Sequence, residues 1–200
     1  MNRIVRALTL VLFLAAVPTL RAAEPDAEGF IKEWLMLAPI DISDGNGGGE
    51  EIAKSQIPDE GKLAPKEGDK VTVKGKELTW KKITAKDYYF DVNEILGEML
   101  SNVAGYFVVL VEAPDEIKDV KAQMGSNDQG KLYINDAALI TFSEGRTIDK
   151  DQDSAVVTLK KGVNRVVFKV INDSNNWQGC LRFTDKDGKP VKGLKTKLAP

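Results

Sequence analysis

Between residues 105 and 185, apolar and polar positions alternate in short runs broken by turn residues, which predicts a series of β-strands and no long helix. The run GYFVVLVEA at 105–113 is apolar on both parities. Phe107, Val109 and Val111 lie on one side and Val108 and Leu110 on the other, so it reads as a central strand covered on both faces. Over 164–170, Asn164, Val166, Phe168 and Val170 share one face, while Arg165, Val167 and Lys169 share the other, which predicts a strand with one solvated side. Leu132 and Ile134 point one way and Lys131, Tyr133 and Asn135 the other. They follow GSNDQG at 125–130, which reads as a hairpin turn. Its glycines suit positive φ, and its Asn127 and Asp128 tolerate the left-handed region. In WQGCLRF at 177–183, Trp177, Leu181 and Phe183 share a parity and Cys180 faces away.

The first half is less regular. Residues 30–37 predict a strand stopped by Pro39, and 50–56 two helical turns after the glycine-rich loop at 44–49. Residues 58–69 read as irregular surface, 71–73 and 78–82 as a hairpin about Gly75, and 93–100 as a short helix with Asn93 as its cap. The sum is an all-β, antiparallel β-sandwich with one or two short helices. No internal period repeats and no linker divides the chain, so one domain is expected over 23–200, with 23–30 and 193–200 as loose ends.

Composition narrows the setting. Residues 1–22 carry Arg3 and Arg6, an apolar stretch over 7–17 and small residues near Ala22, the pattern of a cleaved export signal. That stretch is too short to cross a bilayer, so the mature chain is expected to be secreted or periplasmic without membrane insertion. Loss of Arg3, Arg6 and Arg21 takes 28 basic residues to 25 against 30 acidic ones, and net charge from −2 to −5. An acidic chain without a basic stripe is a poor nucleic-acid binder. Histidine is absent, which removes the usual base for a Ser or Cys nucleophile and the commonest zinc ligand. Cys180 is the only cysteine, so stability must come from a core.

Five segments carry a resemblance. WLMLAP at 34–39 resembles the opening "W-L-x-L-G-P" of secreted bacterial galactose-binding-domain-like β-sandwich modules, and 61–82 is similar to their middle segment. GSNDQGKLYIN at 125–135 matches "G-S-D-D-G-x-x-V-W-L-N-G". LKKGVN at 159–164 matches "L-x-x-G-x-N", and WQGCLRFTD at 177–185 the closing "W-x-x-x-x-R-x-x-D" segment. The chain departs from the pattern at Ala38, Asn127 and Asp136. A PA14-like barrel carries a similar turn and is the alternative fold. The resemblance implies a jelly-roll, galactose-binding-like sandwich, a non-catalytic module of the carbohydrate-binding type.

Three candidate chemistries follow. A sugar site needs an aromatic platform and a few amides or carboxylates. The loop at 172–178 offers Trp177 with Asn172, Asn175 and Asn176; Tyr133 comes second and the pair Tyr88 and Tyr89 third. Trp177 also has the parity of a core residue, the commoner place for tryptophan there, and Trp34 and Trp80 sit in apolar strand patterns. Asp149, Asp151 and Asp153 stand at alternate positions that Ca2+ could use, against the plainer reading of a polar loop. Glu112, Asp115, Glu116 and Asp119 are the acids available for glycoside hydrolysis, in a segment that reads more simply as a solvated turn, so no enzyme is expected. The expected function is non-catalytic glycan binding by loops at one end of the sandwich. The alternative is a structural or protein-interaction module with an exported protein partner.

Overall fold

The computed structural model describes residues 22–44 and 48–199. The export signal expected over 1–22 lies outside them except for Ala22, as do residues 45–47 of the glycine-rich loop. The described chain is an antiparallel β-sandwich. Its large sheet contains β1 (Glu33–Asp41), β4 (Lys81–Thr84), β6 (Val103–Ala113), β8 (Gln129–Ile134), β9 (Ala137–Phe142) and β11 (Gly162–Asn172) in the order β4-β1-β6-β11-β8-β9, and β13 (Lys195–Lys197) pairs with β6. Facing it is a small sheet of β5 (Phe90–Asp91), β7 (Ile117–Asn127), β10 (Asp153–Leu159) and β12 (Gln178–Thr184) in the order β10-β7-β12-β5. A separate hairpin joins β2 (Lys70–Val73) to β3 (Lys76–Thr79).

Strand parity accounts for the core. Val166, Phe168 and Val170 of β11, Phe107, Val109 and Val111 of β6, and Trp34 and Met36 of β1 point inward from the large sheet. Val120, Ala122 and Met124 of β7 and Leu181 and Phe183 of β12 meet them from the small sheet. Phe90 and Phe107 stack there with centroids 4.1 Å apart, and Trp34 meets Phe90 edge-on at 6.0 Å. Trp34 and Trp80 are both buried, as their patterns predict.

The outer face of the large sheet holds the main departure from the sequence reading. Val167 and Lys169 are 0% exposed, not solvated, because residues 42–44 and 48–80 fold back over that face. Leu35, Leu37, Tyr106, Val108, Tyr133, Val167 and Ile171 of the sheet form a second apolar layer with Ile52, Ile57, Val73, Leu78 and Trp80 of this cover. The segment at 58–69 is thus part of a lid on the sheet, with Glu60 and Pro65 buried.

Smaller corrections have local causes. β1 continues through Pro39 by shifting register between Leu37 and Ile40, which accommodates the missing N–H. Residues 50–56 form turns after a 3-10 segment at Gly48–Glu50, not two α-helical turns. α1 (Val92–Leu96) begins one residue earlier than expected: Asp91 is its cap, accepting the Glu94 N–H at 3.1 Å, and Asn93 sits inside the helix. Residues 125–130 are a corner between sheets, since β7 pairs with β10 and β12 while β8 pairs with β11 and β9. Gly125 and Gly130 are not among the positive-φ residues; they are needed for close approach. A Cβ at Gly125 would lie 2.1 Å from the Asp149 carbonyl, and one at Gly130 2.7 Å from Ser126 Oγ. The hairpin turn proper is Asn135 and Asp136, with φ of 49° and 76°, between β8 and β9. Both expected loose ends are also tied down, because β13 pairs with β6 and Ala23 exchanges hydrogen bonds with Thr196 at 2.9 and 2.7 Å.

Candidate functional site

The loop at 172–176 stands at the rim, but its expected platform does not. Trp177 is 0% exposed, its indole N–H donating to the Val170 carbonyl at 3.3 Å, so neither ring face reaches solvent. Asn172 is buried as well, donating to the Leu100 carbonyl at 2.5 Å. Asn175 and Asn176 are exposed at the tip. The loop is braced from below: the Asp128 carboxylate accepts the Asp173 and Ser174 N–H groups at 2.9 and 3.4 Å, and Asn93 donates to the Asn175 carbonyl at 2.6 Å. Burial holds the Asp128 carboxyl above its ordinary value despite those bonds.

The three alternate aspartates do not converge. Asp151 is paired with Arg182, Asp153 with Arg146, and Asp149 accepts the Lys150 N–H at 2.7 Å. Among the described residues no three His, Cys, Asp or Glu side chains stand close enough to hold a metal ion. Calcium therefore has no cage at 149–153, because two of the three carboxylates are already neutralised by guanidinium groups. The acids of the turn beyond β6 are likewise beside lysines: Glu112 with Lys197, Asp115 with Lys161 and Glu116 with Lys118. Cys180 is buried under Asp149, and that burial pushes its thiol up to about 12.

Of Tyr88 and Tyr89, the pair that ranked third, Tyr89 opens onto a cleft. Tyr88 packs on Phe30 at 5.5 Å with the Lys150 ammonium 5.0 Å from its ring, and burial raises its phenol. Tyr89 meets Tyr88 edge-on at 4.9 Å and remains half-buried. With Lys86, Asp87, Asp91, Glu94 and Ile95 it lines an open cleft of about 290 Å³ where the edges of the two sheets, β4 and β5, come together. α1 closes one side of this cleft. Asp91 is held by its capping bond and by the Gln178 amide at 2.7 Å, and Glu94 pairs with Lys86. Asn93 of the same helix is the residue that braces the asparagine loop. Ile95 and Met99 beside it are 39% and 68% exposed.

A wider groove of about 850 Å³ runs between Ala23, Glu33, Lys66, Lys82, Lys197 and Leu198. It carries no aromatic side chain, and Lys82 and Glu33 pair across it at 2.7 Å. Size alone favours this groove; side-chain chemistry favours the smaller cleft.

Tyr133, the second sugar candidate, belongs to a different constellation. It is 7% exposed under the cover, where its hydroxyl donates to Glu60 Oε1. Tyr106 donates to Glu60 Oε2 at 2.5 Å, and the Lys131 and Lys169 ammonium groups approach the same carboxylate at 3.3 and 3.5 Å. Lys169 also donates to the carbonyls of Glu51, Ile52 and Lys54 at 3.3, 3.2 and 2.5 Å. Burial drives the Lys169 ammonium down to about 8, opposed by the Glu60 charge. For Glu60 burial works upward, but the two phenols and two ammonium groups outweigh it and hold the carboxyl below its ordinary value. Lys169 and Tyr106 had one signal in the sequence, a polar group inside an unbroken apolar run; Glu60 had none.

No protein-family model matches the chain, and no curated protein sequence matches it.

Proposed function

We propose that this protein is an exported, non-catalytic binding module of the galactose-binding-like kind that takes a glycan in the cleft between β4, β5 and α1. The observation that carries the reading is Tyr89, an aromatic side chain on a cleft that sets Ala85, Phe90 and Ile95 beside Lys86, Asp87, Asp91 and Glu94. A pyranose presents an apolar C–H face and a girdle of hydroxyls. Tyr89 and Ile95 suit the first; the Asp87, Asp91 and Glu94 carboxylates and the Lys86 ammonium suit the second. Asn175 and Asn176 stand on the loop that α1 braces and extend the polar rim. A cleft of about 290 Å³ suits one or two sugar units, so millimolar affinity is the natural scale.

The test is a glycan array followed by NMR titration of the best hit, with native protein and Tyr89→Ala. Retention should fall about tenfold in the variant, the equivalent of about 1.4 kcal/mol. Equal retention by both proteins, with the fold intact by circular dichroism, would remove the cleft from consideration. A second reading rests on Ile95 and Met99, two large apolar side chains exposed beside the cleft, which suit a protein partner. Met99→Ser, outside the cleft lining, leaves sugar retention unchanged under the first reading and weakens partner capture under the second.

A further inference from the structure

The cover, residues 42–44 and 48–80, is held on the large sheet in an unusual way. Among these described residues regular structure amounts to two 3-10 segments, Gly48–Glu50 and Glu60–Lys62, and the β2–β3 hairpin. Its polar anchors converge on one buried carboxylate. Every element packed around Glu60 offers it a donor: Tyr106 from β6, Tyr133 and Lys131 from β8, and Lys169 from β11. From the cover itself, Glu51 faces Lys169 through its carbonyl and spends its carboxylate on Lys54 at 2.6 Å. The Gln56 N–H donates to the Tyr106 hydroxyl at 3.1 Å, and Arg165 reaches the Lys62 carbonyl at 2.8 Å while pairing with Asp136. Among the described residues Glu60 is therefore the carboxylate paired with both ammonium groups, Lys131 and Lys169, each on the sheet.

A buried ion pair adds little net stability, but removing one partner leaves a stranded charge that is costly. Neutralising Glu60 strands two, Lys169 and Lys131, on the face the cover must occupy. The carbonyls of residues 51, 52 and 54 solvate the Lys169 ammonium but bring no counter-charge. The sandwich core lies on the opposite face of the large sheet and contains none of these groups.

We propose that this cover is acid-released: protonation of Glu60 unpins it from the large sheet while the sandwich beneath stays folded. Release bares Leu35, Leu37, Tyr106, Val108, Val167 and Ile171, a contiguous apolar sheet face. The sign follows from linkage. A carboxyl held below its ordinary 4.5 contributes stability that is present above pH 4.5 and disappears as pH falls through the folded value.

Hydrogen exchange read by mass spectrometry at pH 7 and pH 3, corrected for intrinsic rates, tests this in native protein and in Glu60→Leu/Lys169→Met. In native protein at pH 3, protection over 48–63 should drop at least tenfold more than in β7 and β12, with a gain in binding of a hydrophobic dye. The double variant has no Glu60 to protonate, so the protection of its cover should be the same at both pH values. Glu60→Gln should show the open cover already at pH 7. Parallel loss of protection in cover and small sheet, a cover still protected at pH 3, or an acid response that survives in the double variant would each overturn the proposal. Should the double variant fail to fold, the native profile and Glu60→Gln decide.

Discussion

The two faces of the large sheet are built on different physics. The face toward the small sheet is apolar through its middle, where Trp34, Phe107 and Phe168 meet Phe90 of β5, and its buried amides, Asn164 and Asn172, stand toward the ends of β11. The other face is apolar around a buried carboxylate and lysine, and what covers it is mostly turns. Regular strands satisfy their own backbone groups and need only side chains to fill the space between them. A cover without strands must instead find partners for its carbonyls, and the Lys169 ammonium supplies three hydrogen bonds to them. The inner face therefore carries the stability of the fold, and the outer face carries its sensitivity to charge.

Truncation at the centre of the inner face should have the largest effect. Phe168 is 0% exposed and contacts Trp34, Phe90 and Phe107. Phe168→Ala should cost about 4 kcal/mol in urea unfolding, the sum of lost transfer energy and an unfilled void. A loss under about 2 kcal/mol would mean that the sandwich interior is not the dominant core.

On the outer face, Lys169→Met should act through pH rather than through volume. Its folded value of about 8 lies below the ordinary 10.5, so between those limits the unfolded chain binds more protons than the folded one. Stability from this group therefore rises with pH, by about 2 kcal/mol from pH 8 to pH 10. Tyr106 and Tyr133 run the other way: burial raises both phenols, so their contribution is intact below pH 10 and is lost above it. Urea denaturation of native protein and Lys169→Met at pH 8, 9 and 10 separates the two. The variant should lack the rise, and identical pH profiles would show that Lys169 keeps its ordinary value in the fold and stays charged there.

This asymmetry also explains what could be read in the sequence. Period-two alternation in β11 and β12 marks the inner face directly, because one side of each strand is apolar, while β6, apolar on both parities, announces cover on both of its faces. The outer face of β11 reads Arg165, Val167, Lys169, and by the same logic that pattern means solvent. Only the cover, 90 to 120 residues earlier in the chain and irregular, makes it a core. Trp177 fails as a platform for a related reason: its parity with Leu181 and Phe183 is genuine, and the polar asparagines before it belong to the loop alone. Tyr89 was visible as one of a pair, but nothing local could say that β4 and β5 meet there to make a cleft, since that depends on two sheet edges from different layers. GSNDQG illustrates the limit of turn chemistry. Its glycines were read as hairpin residues, whereas contacts with Asp149 and Ser126, remote or across the corner, are what demand them.

The smallest effect should come from charge pairs on the outer side of the small sheet, the counterpart of the buried cluster. Arg182 lies on β12, pairs with Asp151 through two oxygens and rests 5.0 Å over the Phe30 ring. Asp151 is a quarter exposed, so water screens the pair and both partners keep a solvent alternative when separated. Asp151→Asn should lower stability by about 1 kcal/mol, and added salt should shrink that difference. Millimolar Ca2+ should leave the melting temperature of both proteins unmoved, because the guanidinium group already fills the place a cation would take. A calcium-dependent rise in the native protein that Asp151→Asn abolishes would show that Arg182 gives way to the ion, and would reverse the assignment of this loop as a plain surface clamp.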